Sequence, residues 1–281
     1  MNKHNIDKAT PFIKWVGGKR RLIPNLTEFI PKTYNNYYEP FLGGGAFFFN
    51  EYYKNLLQNK KTEYFLNDYN KTLINAYEVV KNDKNKLIDN LRLHKKKHNP
   101  EYYYEVRSLH NLTGKVENSA RFIYLNKTCF NGLYRVNKKG EFNVPIGRYE
   151  NPDITQEDNL DLVSDVLKRV KLFNEDFEKI KPSKEDFIYI DPPYYPLNKT
   201  SSFTAYTELD FGKEAQIRLR DYIEKLTKNG VYVMLSNSDT PFINDIYKAF
   251  NINYIKVSRS INSNASKRGK VNEVIITNYN I

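Results

Sequence analysis

The 281-residue sequence predicts an α/β fold: a mainly parallel sheet with one folded, mainly helical insertion. Three observations carry this. Short apolar runs alternate with helical patterns near both ends of the chain. A glycine-rich turn, Phe41-Leu42-Gly43-Gly44-Gly45-Ala46, directly follows the first run. The middle of the chain reads instead as successive helices dense in Lys, Asn and Tyr.

Taken in order, Tyr37-Tyr38-Glu39-Pro40 ends a short strand and the glycine turn opens a helix. Tyr64-Phe65-Leu66 is a second strand, closed by Asn67-Asp68, and helical patterning resumes near Asn70. Strand, glycine turn, helix, strand and acid is the βαβ order of nucleotide-binding sheets. Residues 77–165 form the insertion, with helices around 83–97, 101–112 and 117–129. A turn-rich stretch, Asn131 to Gly140, follows, and Lys139-Gly140 before Glu141-Phe142-Asn143-Val144 predicts a hairpin or a long exposed loop. There is no tandem repeat and no low-complexity linker, so residues 1–76 and 166–281 make one discontinuous domain around a folded insertion. Phe187-Ile188-Tyr189-Ile190 is a buried strand running into Asp191-Pro192-Pro193-Tyr194. A helix covers about 213–228, and strands follow at Gly230–Leu235, Asn253–Val257 and Glu273–Thr277. The stretch Arg259 to Lys270 is polar and basic, a loop facing either nucleic acid or water.

Composition narrows the partners. Lys and Arg number 44 against 33 Asp and Glu, a formal charge of +11. Such an excess favours a polyanion through counterion release. Aromatic residues are 15% of the chain, and aromatic faces can stack on extruded bases. No apolar run is long enough to span a membrane, and Met1-Asn2-Lys3-His4-Asn5 lacks the apolar core of a secretory signal. The expected compartment is the cytoplasm, of a prokaryotic cell or of a phage-infected host. Cys129 is the only cysteine, which excludes an internal disulfide and a cysteine-rich metal cluster. It reads as a small buried side chain. His94 and His98 share a helix but flank Lys95-Lys96-Lys97, a solvated basic face rather than a metal site.

Two motifs carry chemistry. Glycines after a strand let the backbone approach a ligand closely, and Asp68 lies 23 residues past Gly45. That is near the ~20-residue offset at which an acid meets a ribose hydroxyl. Three glycines and an acid also occur in ordinary structural turns. Asp191-Pro192-Pro193-Tyr194 is more specific, because it sits where open α/β sheets bind ligands, at the carboxyl end of a strand. Two prolines stiffen the backbone and leave the preceding carbonyls as acceptors. A carboxylate beside a fixed carbonyl suits an amine donating two hydrogens, and the tyrosine ring can stack on a planar base.

The two motifs together resemble the exocyclic-amine methyltransferases of DNA. Their order, with glycine motif, insertion and then Asp-Pro-Pro-Tyr, resembles the alpha group, and most closely the Dam-type adenine methyltransferases that act at GATC. Three further stretches join the resemblance. Phe12-Ile13-Lys14-Trp15-Val16-Gly17-Gly18-Lys19 is similar to the N-terminal cofactor motif. Asn131-Gly132-Leu133-Tyr134-Arg135 and Phe142-Asn143-Val144-Pro145-Ile146-Gly147-Arg148-Tyr149 are similar to the target-recognition insertion. Asn174-Glu175-Asp176-Phe177 is similar to the acid-aromatic pair that follows.

The resemblance implies a Rossmann-like methyltransferase sheet, S-adenosylmethionine as cofactor, no metal, and double-stranded DNA as partner. It implies either a restriction-modification role beside an independently acting restriction endonuclease or an orphan or phage role, between which the sequence does not choose. It implies that Trp15, Gly17, Gly18 and Lys19 border the cofactor, with Phe41, Gly43 and Gly45 around its methionine part. Asp68 is implied to hold the ribose hydroxyls. Asp176 and Phe177 are implied to bind the cofactor's adenine. Asp191, Pro192, Pro193 and Tyr194 are implied to hold the target base, with Asp191 also bordering the cofactor. Lys14, Phe130, Asn131, Arg135, Pro145 and Tyr149 match positions that touch DNA. The family commonly has tyrosine where this chain has Phe130, which removes a hydroxyl and keeps only a stacking or wedging role. Arg135 on a glycine-punctuated loop has the shape for bidentate guanine readout.

Three alternatives stay open at this stage. A cytosine-N4 methyltransferase would use the same amine acceptors. A protein glutamine methyltransferase uses a related motif, usually with Asn first, and the Asp and the basic insertion speak against it. A non-catalytic DNA-binding relative is disfavoured by intact Gly43, Gly45, Asp68 and Asp191.

Overall fold

The computed structural model describes residues 8–110, 112–196, 211–258 and 270–281. The N-terminal residues and most of the basic stretch from Arg259 lie outside the described residues.

Seven strands form one sheet: β1 (Tyr37–Glu39), β2 (Tyr64–Asn67), β3 (Val170–Phe173), β4 (Phe187–Ile190), β5 (Tyr232–Ser238), β6 (Asn251–Ser258) and β7 (Lys270–Thr277). Their spatial order is β3-β2-β1-β4-β5-β7-β6. The first five are parallel, and β7 pairs antiparallel with β5 and β6. Neighbouring residues of each strand enter opposite cores. Tyr37, Phe187 and Tyr189 join the core on one face, whereas Tyr38, Ile188 and Ile190 join the core on the other. Period-2 side-chain alternation in a sheet covered on both faces explains why these strands read as unbroken apolar runs.

The helices are α1 (Ile23–Thr27), α2 (Ala46–Leu57), α3 (Lys71–Asn82), α4 (Lys84–Lys97), α5 (Pro100–Ser108), α6 (Lys115–Thr128), α7 (Glu157–Leu167), α8 (Lys213–Lys228) and α9 (Pro241–Ile246). Several starts are chemically marked. The Asn70 side chain caps α3 by accepting from Leu73 N–H, and Asn99 caps α5 ahead of Pro100. Helices α4 to α6 lie between α3 and α7, within the crossover from β2 to β3. They share one continuous hydrophobic core with the sheet face carrying α2.

The structure shifts several expected boundaries. The expected domain limits at residues 77 and 165 fall inside the continuous helices α3 and α7. The helix expected over 101–112 stops at Ser108, where Leu109 turns to extended backbone. The strand expected from Gly230 begins at Tyr232, because Gly230 sits in a turn with φ of +74°. Strand β3 and helices α1, α7 and α9 have no counterpart in the sequence reading. The stretch after Lys139-Gly140 folds back, with Val136 bridged to Phe142 in antiparallel fashion. Lys95, Lys96 and Lys97 are exposed as expected, but His94 and His98 turn toward tyrosines. His94 Nδ1 lies 2.8 Å from the Tyr102 hydroxyl and His98 Nδ1 2.9 Å from that of Tyr124. Burial lowers His94 to about 4, so it stays neutral.

Candidate functional site

Four strand ends converge at one edge of the sheet. The connection from β1 runs outward to β2, and that from β4 runs the opposite way to β5. Ligands of open α/β sheets bind at such a reversal, outside the carboxyl ends. The glycine turn follows β1, Asp68 follows β2, Asp176 follows β3 and Asp191 follows β4.

Asp68 braces the glycine turn. Its Oδ2 accepts from Gly43 N–H at 2.9 Å and its Oδ1 from Asn70 N–H at 2.9 Å. Burial pushes its carboxyl up to about 6, against the pull of these two backbone donors. Gly43 has φ of +50°, and a Cβ there would meet Trp15 Cδ1 at 2.6 Å. The indole therefore lies directly on the turn, which only glycine tolerates. Its aromatic neighbours are Tyr134, stacked at 5.4 Å between ring centres, and Phe122, edge-on at 6.4 Å. Buried Asn67 ties the strand ends together, donating to Pro40 and Glu175 carbonyls at 3.0 Å each and accepting from Glu175 N–H at 2.8 Å.

Asp191 emerges from β4 half-buried. Lys19 Nζ lies 2.8 Å from its Oδ1, donates to the Gly17 carbonyl at 2.8 Å, and sits 4.7 Å from the centre of the Tyr194 ring. Burial raises the Asp191 carboxyl above the usual range, and the Lys19 ammonium works against that rise. The Tyr194 hydroxyl donates to Glu273 Oε2 at 2.9 Å. The turn is held from outside as well. Gln216 donates to the Pro193 carbonyl at 2.9 Å, and Asn237 donates to Gln216 at 3.0 Å while accepting from Tyr195 N–H at 3.2 Å. Among the described residues none donates to the Pro192 carbonyl.

Asp176 accepts from Glu178 N–H at 3.0 Å and forms an ion pair with Arg218. The Arg218 guanidinium lies 4.6 Å from the centre of the Phe177 ring. Phe177 is buried, with Phe41 at 5.6 Å and Phe211 at 6.2 Å. A base stacked on Phe177 from the Arg218 side would have to displace the guanidinium.

Of the six expected DNA-facing residues, five lie on the two paired recognition stretches and Lys14 packs beside them. Phe130 N–H donates to the Pro145 carbonyl at 2.9 Å, pairing the two recognition stretches. Phe130 is half exposed, and Asn131 beside it has φ of +55°. Exposed Lys14 reaches the Tyr149 hydroxyl at 3.0 Å and the ring centre at 4.2 Å. Arg135 donates from Nε to Asn143 Oδ1 at 2.7 Å and from Nη2 to the Asn143 carbonyl at 3.2 Å. Two of five guanidinium donors are thus used, and the Nη1–Nη2 end stays open. Cys129 is buried between these stretches, and burial pushes its thiol up to about 12.

Comparison with known proteins decides the family. The family model described as D12 class N6 adenine-specific DNA methyltransferase matches residues 15–261. The chain belongs to this family. It is 43% identical to the type II methyltransferase M1.LlaDCHI of Lactococcus lactis subsp. cremoris, over 99% of this chain and 97% of that protein. It is 45% identical to the type II methyltransferase M.MjaIII of Methanocaldococcus jannaschii, over 97% of this chain and all of that protein. It is 36% identical to the DNA adenine methylase of Haemophilus influenzae, over 95% and 93% of the two chains. This D12 enzyme is an adenine-specific DNA methyltransferase that uses S-adenosylmethionine. The residues at the strand ends fit that cofactor. Asp68 would accept from hydroxyls beside its two backbone donors, Phe41 and Phe177 would supply an aromatic wall, and the Gly43 turn would admit close backbone approach.

The sequence reading did not single out Asn67, Gln216, Arg218, Asn237, Glu273 or, on α6, Asn126. Two of them leave a readable trace. Gln216 falls on the apolar stripe of α8 with Leu219, Ile223 and Leu226, and is fully buried. Asn126 falls on the buried stripe of α6 with Ser119 and Phe122. An amide at a core position of a helix signals a specific hydrogen-bonding duty.

Proposed function

We propose that this enzyme methylates the N6 amine of an adenine turned out of double-stranded DNA, within the sequence GATC. The observation that carries the reading is Asp191, half-buried at the end of β4, ion-paired to Lys19 and flanked by Tyr194. The adenine amine is a poor nucleophile, because its lone pair is delocalised into the ring. Asp191 and the Pro192 carbonyl accept its two hydrogens and favour a pyramidal nitrogen. The Lys19 ammonium favours the ionised carboxylate against the effect of burial, and it lies on Oδ1, leaving Oδ2 for the amine. Tyr194, fixed by Glu273, offers its ring as the stacking surface for the extruded base. When bound, S-adenosylmethionine supplies the electrophilic methyl, and Asp68, Asp176, Phe177 and the Gly43 turn orient it. Bringing donor and acceptor into line lowers the barrier by several kcal/mol at least, since effective molarities reach about 10⁵ M or more.

The insertion, residues 77–165 in our division, provides readout, with Arg135 addressing a guanine and Lys14, Phe130, Asn131, Pro145 and Tyr149 around it. Relatives named type II methyltransferases support a modification role beside an independently acting restriction endonuclease. Relatives named DNA adenine methylase support adenine as the base modified. The expected compartment is the one holding the DNA, the cytoplasm. The test is to methylate plasmid DNA in vitro and map each modified base with its context. N6-methyladenine confined to GATC is expected. N4-methylcytosine, or adenine methylation in another context, would overturn the reading.

A further inference from the structure

The N-terminal segment that carries Lys14 and Lys19 is gripped by side-chain amides of the insertion and α7. Asn159 accepts from Thr10 N–H at 2.9 Å and donates to the Thr10 carbonyl at 3.0 Å. Gln156 donates to the Phe12 carbonyl at 2.8 Å, its own oxygen held by Lys127 Nζ at 2.5 Å. Asn126 accepts from Lys14 N–H at 2.8 Å, donates to the Lys14 carbonyl at 2.8 Å, and donates to the Gly132 carbonyl at 3.1 Å. Three amides therefore hold alternate residues, 10, 12 and 14, of one short stretch.

Asn126 differs from the other two. The residue is 1% exposed, and both its amide hydrogens and its oxygen are engaged. Of the three amides it is the one that also bonds the recognition loop, because Gly132 lies between Phe130-Asn131 and Arg135. The same junction is tight, since a Cβ on Gly132 would meet Lys14 Cβ at 2.6 Å. Beyond Lys14 the chain turns within five residues to Lys19, on Asp191. Asn126 thus sets where an exposed cation stands relative to both the recognition loop and the catalytic carboxylate.

We propose that Asn126 is the positioning residue for base readout, fixing Lys14 against the Phe130–Arg135 loop. This rests on the reading that Lys14 meets the target sequence. Asn126→Asp keeps size and the acceptor for Lys14 N–H, but it replaces two donors with an oxygen facing two carbonyls. Lys14 and Gly132 should then part.

The experiment measures single-turnover methylation of the cognate duplex and of its single-base variants by wild type, Lys14→Ala, Asn126→Asp and the double mutant. Calorimetric S-adenosylmethionine affinity and circular dichroism are measured alongside. Lys14→Ala should lower discrimination at one base pair by about tenfold. Asn126→Asp should lower it at that same base pair, with cofactor affinity unchanged, and the double mutant should discriminate no worse than Lys14→Ala there. If Lys14→Ala loses discrimination while folded Asn126→Asp keeps it, the proposal fails and the Lys14 reading stands. If Lys14→Ala keeps it, both fail. An equal rate loss on every duplex by Asn126→Asp would mark a merely structural role and also overturn the proposal. Should Asn126→Asp not fold, Asn126→Ser takes its place under the same criteria.

Discussion

Asp191 and Arg135, both proposed to meet the same DNA, are held by the molecule in different ways. Asp191 is the last step of a parallel strand, in a turn stiffened by two prolines and braced by Gln216 and Asn237. Its charge is half-buried and answered by Lys19. Arg135 is exposed, on a loop whose shape comes from pairing between residues 129–135 and 142–147. Its only side-chain partner among the described residues is Asn143. The strand-end region sets reacting atoms by backbone geometry, where a small displacement costs rate. In the proposed reading the insertion presents donors that adjust to a duplex, so errors there should cost selectivity.

If that contrast is right, damage at the strand ends should remove chemistry and damage in the insertion should remove selectivity. The largest effect is expected from Asp191→Ala. Turnover should fall by on the order of 10² or more, comparable to losing one preorganised transition-state contact, with DNA and cofactor still bound. Asp68→Ala comes next. Its carboxylate also braces Gly43 and Asn70, so cofactor affinity should weaken by about 1.5–3 kcal/mol, while DNA affinity is retained. Calorimetry with both ligands checks this, and unchanged cofactor affinity in a folded mutant would remove Asp68 from the site. Arg135→Ala should lose about 1–3 kcal/mol of discrimination at one base pair. Rates on GATC and its single-base variants decide it. A uniform drop would reassign Arg135 to the phosphate backbone.

The smallest effect is a pH dependence. The folded Asp68 carboxyl titrates at about 6, above its ordinary 3.8. Between those values the folded enzyme holds more protons than the unfolded chain, so this group's contribution to stability declines as pH rises through the window and is constant above it. Cofactor binding that needs the ionised carboxylate runs the other way. Affinity should be flat above pH ~7 and fall by about tenfold toward pH 5, by the ionised fraction of a group titrating near 6. The dependence should vanish in Asp68→Asn.

The contrast also explains what was legible in the sequence. The motifs after β1, β2 and β4 were readable because glycine, proline and acid at fixed offsets are demands of a local backbone, whereas Asp176 after β3 was reached only through the family resemblance. The Gly43 turn, Asp68 and Asp191 all fall at the expected sheet edge. β3 was missed because Val170-Lys171-Leu172-Phe173 is a four-residue run at the sheet margin, three of its residues charged or exposed in part. The pairing of Lys19 with Asp191 joins residues far apart in the chain, and no spacing rule exposes it. The same holds for Glu273 on Tyr194 and Arg218 on Asp176. In the insertion the loops were recognisable by composition, but the amide contacts that fix them depend on how α6 and α7 pack against the N-terminal segment.

The central claim is that the Asp191 carboxylate accepts a hydrogen from the amine as the methyl transfers. Asp191→Asn tests it most directly, because size is kept and the charge is lost. Single-turnover rates are the measure, since slow product release would mask a chemical defect. The account predicts a rate severely reduced, yet above that of Asp191→Ala, with near-normal DNA binding. Transfer at the wild-type single-turnover rate by Asp191→Asn would contradict it.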